Sequence, residues 1–243
     1  MPQITTANRL ATIAEDQWGF LTRQQAEHAG VSRATLQRLS GEDSSLERIA
    51  RGVYHLAGAP LPDHVALRAA WLQLAPETLA WERKPEQGVV SHRSAAAVYG
   101  LGDLPADRHE FIVAERKQVR RPDVRIHRGE VRSGESAILG GLPVTTPART
   151  AADLLGDREG PEAVARVVVD ALRGNNEWPT NFAAAFSSRS AQLGVRRGDG
   201  VAVLASLLNL IGDPLTSQWM QEATHQPVEL TPGSSTEVDD RAG

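Results

Sequence analysis

Cysteine is absent from the 243-residue sequence. Its absence excludes disulfide bonds, thiolate catalysis and zinc or iron–sulfur sites built on cysteine. The seven histidines show no metal-ligand spacing such as His-x3-His, and there is no glycine-rich phosphate loop. We therefore expect no metal, no cofactor and no catalytic residue.

Long apolar runs are also missing. No stretch approaches the roughly 18 consecutive apolar residues of a membrane span, so we expect no contact with a membrane. Met1–Ala11 does not place a basic run before an apolar one, so we expect no secretory signal and a cytoplasmic location. An apolar fraction of 41% argues against disorder of the whole chain and allows one large domain or two small ones.

Lysine is scarce, since 24 of the 26 basic residues are arginine. A GC-rich genome is the usual cause, although arginine also suits bidentate contacts to phosphates and base edges. The net charge of −4 is unevenly spread: residues 116–132 carry seven basic and two acidic side chains, whereas residues 151–243 carry seven and thirteen. Nucleic-acid binding depends on local patches, so the acidic balance does not exclude it.

The first 56 residues follow the order of a winged helix-turn-helix. The apolar spacing predicts helices over Asn8–Asp16, Arg23–His28 and Arg33–Ser40, and two strands on either side of Arg51-Gly52. Thr22 and Ser32 are expected to cap the second and third helices.

The turn between the second and third helices has the residues that a helix-turn-helix requires. Ala26 is small where the two helices touch, Gly30 allows the sharp turn, and Val31 can plug it. If the module binds DNA, the outer face of the third helix enters the major groove and arginines of the wing contact phosphates or the minor groove. The predicted DNA-binding residues are Thr22, Arg23, Ser32, Arg33, Ala34, Gln37, Arg38, Arg48 and Arg51.

Two other interpretations stay open for this segment. A helix-turn-helix can serve only for packing or for protein contact. Arg48 and Arg51 on the wing can equally be solvated charges.

A proline-containing link, Gly58–Pro62, marks the expected domain boundary. We predict an α+β protein with a winged helix-turn-helix at residues 1–58, an α+β domain with a helical C-terminal part at residues 61–225, and a disordered acidic tail at residues 226–243. In the second domain, strands are expected at 88–91, 110–114, 119–127 and 142–145, and helices at 63–74, 92–99, 147–155, 161–172, 181–188, 201–210 and 217–223. Asp63 and Thr146 are expected to cap two of these helices.

Basic side chains are concentrated on two strands of this domain, which we expect to form a hairpin. This basic hairpin is either a solvated face or a second nucleic-acid surface. Its residues are Arg116, Lys117, Arg120, Arg121, Arg125 and Arg128.

Three short motifs contain residue types that occur in catalytic or ion-binding sites. Glu115-Arg116-Lys117 at the end of a strand is part of a metal-dependent nuclease pattern, with Asp103 or Asp107 as a second carboxylate. Ser91-His92-Arg93 is more typical of a helix start than of a catalytic site. Arg149, in the first turn of a helix, is expected to pair with Asp153 one turn later.

Three blocks resemble the AbiEi-type antitoxins of type IV toxin–antitoxin systems. They are the segment from about Ile13 to Leu56, the run Ser91-His92-Arg93-Ser94-Ala95 with Gly100-Leu101, and the run Pro143-Val144-Thr145 with Pro147-Ala148-Arg149-Thr150 and Asp153-Leu154. The order and separation of the blocks carry the resemblance, which spans about 140 residues from Ile13 to Leu154.

The resemblance implies a role for each domain. The winged helix would bind inverted repeats of double-stranded operator DNA upstream of its own operon and repress transcription. The second domain would counter a cognate nucleotidyltransferase-like toxin, without requiring a stable complex. The alternatives are a metal-dependent nuclease that uses Glu115 and Lys117, and a pure protein-interaction module.

Overall fold

The computed structural model describes residues 5–41, 45–115, 121–188 and 195–224. It is a mixed α+β structure with two sheets. Its helices are α1 (Thr6–Glu15), α2 (Arg23–His28), α3 (Arg33–Leu39), α4 (Val65–Leu72), α5 (His92–Tyr99), α6 (Pro147–Gly156), α7 (Pro161–Arg173), α8 (Pro179–Phe186), α9 (Gly200–Leu210) and α10 (Thr216–Thr224). Its strands are β1 (Phe20–Thr22), β2 (Leu46–Ala50), β3 (Val53–Leu56), β4 (Val89–Val90), β5 (His109–Val113), β6 (Val124–Arg128), β7 (Ser136–Leu139) and β8 (Leu142–Thr145).

The winged-helix unit runs from α1 to β3 and confirms the expected order of elements. The Thr22 hydroxyl accepts the backbone N–H of Gln25, and the Gln25 side chain accepts the N–H of Thr22, which completes a capping box. Ser32 caps α3 in the same manner by accepting the N–H of Thr35 at 3.1 Å. The sequence did not predict β1, which joins the wing in a three-stranded sheet of order β1-β3-β2.

The second unit, from α4 to α10, is built on a five-stranded sheet of order β6-β5-β4-β8-β7. The predicted basic hairpin is wrong, because β5 and β6 are parallel, with Glu110 beside Arg125. Parallel neighbours cannot be joined by a tight turn, so β5 and β6 do not form a hairpin. A strand that the sequence did not predict, β7, pairs with β8 across the Gly140-Gly141 turn.

Helices α6 to α10 pack around an apolar core that α5 also joins through Ala96. Their core includes Val164, Val168, Phe182, Leu204 and Leu207, all 1% exposed or less. As expected, Thr146 caps α6 and Pro147 occupies its first turn, where a missing N–H costs no hydrogen bond. The predicted tail at 226–243 lies outside the described residues. No helix in the described part of the chain is long and apolar enough to cross a membrane.

The start of α4 differs from the prediction. His64, in the left-handed conformation at φ 56°, precedes the helix, and Asp63 does not cap it. Instead, the carbonyl of Asp63 accepts a hydrogen bond from Nε of the buried Arg68 at 2.8 Å. The Arg68 guanidinium also lies over the ring of Trp18, 4.4 Å from its centroid.

The two units share a hydrophobic core across the predicted boundary. Phe20 and Val53 of the winged helix are fully buried in the cluster that contains Trp71 of α4 and Phe111 of β5. The indole N–H of Trp18 donates to the carbonyl of Gly140 at 2.7 Å. The second unit therefore supports the winged helix by packing as well as by chain connection.

Candidate nucleic-acid interface

The outer face of α3 carries four exposed side chains. Leu36 is fully buried in the winged-helix core and fixes the rotation of α3. Because residues one turn apart lie on the same face of a helix, Arg33 and Gln37 form one exposed row and Ala34 and Arg38 another. Arginine and glutamine on such a face can make bidentate contacts to guanine and adenine.

A groove of about 600 Å³ lies beside this face, and we call it the arginine groove. It is bounded by α2 and α3, by the wing, and by α4 and residue 121 of the second unit. The residues that line it are Arg23, Gln24, Arg33, Gln37, Ser40, Arg48, Arg51, Gly52, Tyr54, Gln73, Pro76 and Arg121. Five of them are arginines, and within the described part of the chain none of the lining residues is acidic. The groove is thus a local cationic surface on an acidic protein.

The structure corrects the prediction for Thr22. Its side chain is completely buried, and its hydroxyl both caps α2 and donates to the carbonyl of Pro76. A hydroxyl used in this way cannot reach DNA. Ser32 is exposed, but its Oγ is engaged by the N–H and the hydroxyl of Thr35. Arg23 lines the groove and lies 3.6 Å from Glu27 in an exposed ion pair.

The six residues of the predicted second nucleic-acid surface do not lie together on one described surface. Arg116, Lys117 and Arg120 lie outside the described residues. Arg121 lines the arginine groove. Arg125 makes a bidentate pair with Asp157 at 2.6 and 2.7 Å, whereas Arg128 is exposed on β6.

Several groove residues were not predicted from the sequence. Gln24 and Tyr54 lie on elements that were predicted correctly, and they could have been found by projecting the helix and wing faces. Gln73 and Pro76 come from the second unit, and nothing local in the sequence indicates that α4 ends beside the wing.

Lys117 of the nuclease motif lies outside the described residues, and neither Asp103 nor Asp107 is placed as a second carboxylate beside Glu115. Asp107 precedes β5 and Glu115 follows it, and a five-residue strand spans roughly 16 Å. Asp103 instead pairs with Arg166 of α7 at 3.4 Å. Among the described residues, no group of three or more metal-ligating side chains could hold an ion.

The block around Ser91 builds a buried polar cluster at the start of α5. The rings of His92 and His127 are stacked at 3.5 Å, and Nδ1 of His92 lies 3.0 Å from the Ser91 hydroxyl. Glu110, also buried, accepts the N–H of Arg93 at 2.9 Å and lies 3.4 Å from Nε2 of His127. The block is a helix start, as the sequence predicts, but the Glu110 carboxylate bonds the free N–H there, whereas the Ser91 side chain is fully buried and does not cap α5.

The His92 cluster should make the free energy of unfolding depend on pH, and the pKa of His92 gives the direction of the change. Burial, and then the neighbouring His127, lower the pKa of His92 from 6.5 to about 3. The unfolded chain takes up a proton at this histidine near pH 6.5, whereas the folded chain does not. The contribution of neutral His92 to the free energy of unfolding is therefore complete above pH 6.5 and is lost as the pH falls toward 3. We expect His92→Asn to flatten the decline between pH 6.5 and 4.5, in which one proton contributes at most about 1.4 kcal/mol per pH unit.

The measurement is the free energy of unfolding in denaturant at several pH values. Asparagine is the suitable replacement because it tolerates the positive φ of 51° at this position. His28→Asn, on an exposed helix end, is the control for the same substitution outside the His92 cluster. An identical profile for His92→Asn and the unaltered protein would contradict the assignment.

Arg149 is held as the sequence predicted. Its Nε donates to Asp153 at 2.8 Å, and its Nη1 donates to Glu135 at 2.6 Å and to the carbonyl of Glu130 at 3.2 Å. These three contacts pin the loop before β7 to the first turn of α6. The Pro-Ala-Arg-Thr block is thus a structural element of the second unit.

Two family models match the chain. The model described as "Transcriptional regulator, AbiEi antitoxin" matches residues 8–57, and the model described as "AbiEi antitoxin C-terminal domain" matches residues 88–199. The chain belongs to the AbiEi antitoxin family. The first match spans the helix-turn-helix and the wing, and the second spans the sheet and helices α5 to α8.

The family makes this AbiEi protein a DNA-binding transcriptional regulator of the antitoxin class. A search of curated proteins gave no match. One solved structure that is similar to the chain is the crystal structure of the RV2827C protein from Mycobacterium tuberculosis, at 18% identity and a TM-score of 0.49. The similarity covers 92% of this chain and 83% of that one.

Proposed function

We propose that this AbiEi protein represses its own operon by binding inverted repeats of double-stranded DNA with α3 and the wing. The observation that supports this proposal best is the arginine groove, where five arginines and Gln37 surround one concave surface. Phosphate contacts from such a surface supply affinity, and side chains that reach base edges supply specificity.

The geometry suits the usual docking of a winged helix. Arg33 and Gln37 lie on the exposed face of α3 that would enter the major groove. Arg48 and Arg51 lie on the wing, across the arginine groove from α3, where they would meet the phosphates that flank the base contacts. Arg38 and Ala34 form the second exposed row and complete the proposed reading face.

The antitoxin role would reside in the second unit, and the system would be of type IV. The support is the family match over residues 88–199 together with the three sequence blocks described above. The toxin would be nucleotidyltransferase-like and would be countered without requiring a stable complex. We propose that regulation rather than catalysis is the activity of this chain, and that its place is the cytoplasm.

The test is a titration of the full chain with the DNA upstream of its own reading frame and with a shuffled sequence of equal length. We expect affinity for the upstream DNA to exceed that for the shuffled DNA by at least about a thousandfold, the usual range for specific binders. A reporter fused to the same promoter should be repressed when the protein is present.

The same titration with and without Mg²⁺ separates the alternatives. Intact DNA in both conditions supports a regulator, whereas Mg²⁺-dependent cleavage would support the nuclease that uses Glu115 and Lys117. Equal, weak binding to both sequences, together with an unrepressed reporter, would contradict the proposal and favour a protein-interaction module.

A further inference from the structure

A chain of side-chain contacts joins the second unit to the tip of the wing. Nε2 of Gln73 donates to the backbone carbonyl of Arg51 at 2.8 Å. The other end of the same amide, Oε1, accepts a hydrogen bond from Nη1 of Arg121. Arg121 is in turn held by Asp123, to which its Nε donates at 3.0 Å and its Nη2 also donates. We call Gln73, Arg121 and Asp123 the wing relay.

In the part of the chain that the structure describes, few other hydrogen bonds support the wing tip. Arg51 and Gly52 form the turn between β2 and β3, and the pairing of these strands is irregular between Arg48 and Ala50. The turn is joined to the helix-turn-helix by the backbone N–H of Arg23, which donates to the carbonyl of Gly52 at 2.9 Å. Gln73, at the end of α4, therefore supplies a second anchor from another part of the molecule.

The charges in the wing relay indicate that its residues hold the wing in position and do not contact DNA themselves. Gln73 is neutral and uses both ends of its amide within the protein. The charge of Arg121 is already balanced by Asp123, whose pKa is lowered chiefly by the hydrogen bond from Arg121, so this carboxylate stays ionised at neutral pH. The Arg51 side chain, by contrast, is exposed.

We propose that Gln73 is a positioning residue for DNA recognition: supported by Arg121 and Asp123, it fixes the Arg51 carbonyl and thereby sets where the wing arginines meet the phosphates. This inference rests on the proposed function, because it assigns a role to the second unit in the same DNA-binding act. The second unit would thus act on DNA affinity through the wing.

The deciding experiment replaces the uncharged Gln73 and measures how DNA affinity changes with salt concentration. In the full chain, Arg51→Ala should lower the slope of log affinity against log salt by about 0.9, the value for one phosphate contact. Gln73→Ala removes no charge, yet it should lower the same slope by up to about 0.9 and weaken operator binding roughly three- to tenfold. In the Arg51→Ala background, Gln73→Ala should have little further effect.

Gln24→Ala is the matched control, since Gln24 also lines the arginine groove but belongs to α2. It should leave the salt slope unchanged whatever its effect on affinity. A Gln73→Ala variant with an unchanged slope, or with an effect that adds fully to that of Arg51→Ala, would overturn the proposal. Wild-type affinity for Gln73→Ala would overturn it as well.

Asp123→Asn tests the wing relay from its other end and does not depend on the stability of the Gln73 variant. If Arg121 acted on DNA directly, removal of the balancing carboxylate would strengthen binding. We expect weaker binding, because Arg121 loses the partner that aims it at Gln73. Tighter binding by Asp123→Asn would overturn the proposal.

The proposed function and the wing relay fail in different ways. If Arg33→Ala and Arg51→Ala weaken operator binding while Gln73→Ala does not, only the wing relay is overturned. If the unaltered chain does not distinguish operator from shuffled DNA, both are overturned.

Discussion

Arg33→Ala is expected to weaken binding to the operator by about 1–3 kcal/mol and to relax the base preference at one position. Arg33 lies in the first turn of α3, exposed and lining the arginine groove. Among the described residues, none forms a salt bridge with it, so its guanidinium is available for a bidentate contact to guanine. Gln37→Ala should have a similar effect at a neighbouring base pair.

The measurement is the affinity of each variant for the operator, for single base-pair variants of it, and for shuffled DNA. The control is Arg166→Ala. Arg166 lies on α7, does not line the arginine groove, and forms an exposed ion pair with Asp103, so the change removes one positive charge elsewhere on the surface. Arg166→Ala should preserve the ratio of operator to shuffled affinity. An equal loss on operator and shuffled DNA for Arg33→Ala would show that Arg33 contacts phosphate and does not read a base.

Local sequence predicted the parts of the site that are decided within a few residues. The caps Thr22, Ser32 and Thr146 are confirmed because a capping hydroxyl bonds an N–H only two or three positions away. The arrangement of Arg33 on α3 and Arg51 on the wing follows from the same short-range order. A regular helix or hairpin fixes the direction of its side chains without reference to the rest of the chain.

Pairings over long sequence distances were not predictable in this way. The residues of β5 and β6 do not show whether the two strands pair in parallel or antiparallel, so the expected hairpin was wrong. Thr22 looked available to DNA because nothing nearby indicates that Pro76, 54 positions later, would accept its hydroxyl. The contact of Gln73 with the Arg51 carbonyl has the same cause, since it forms only when α4 packs against the wing.

Gln17 also bonds residues far along the chain, and of the replacements considered its loss should have the largest effect on stability. Its side chain is completely buried where α1 ends, and its amide bonds that of Gln25 at 3.0 Å in both directions. It also donates to the carbonyl of Phe20 at 3.2 Å and accepts the N–H of Ala80 from the second unit at 2.8 Å. One glutamine thus joins α1, α2, β1 and the second unit.

Gln17→Leu should lower the free energy of unfolding by roughly 2–4 kcal/mol, because it leaves the N–H of Ala80 and the buried carbonyl of Phe20 without their hydrogen-bond partner. His55→Leu is the matched comparison. His55 is 1% exposed in the same unit, and within the described part of the chain neither of its ring nitrogens has a hydrogen-bond partner. Replacing a buried polar ring that bonds nothing should change stability by less than about 1 kcal/mol, or increase it.

Both free energies can be measured by urea denaturation of the full chain. The comparison separates satisfied hydrogen bonds from side-chain volume, since both variants place leucine at a buried polar position. Equal losses for the two variants would mean that volume and shape decide, and that the Gln17 network contributes little. A large loss for Gln17→Leu alone would show that the Gln17 hydrogen bonds, one of them to Ala80 of the second unit, stabilise the winged helix and its packing. The arginine groove depends on that placement, because Gln73 and Arg121 face Arg33 and Arg51 only while the two units stay packed.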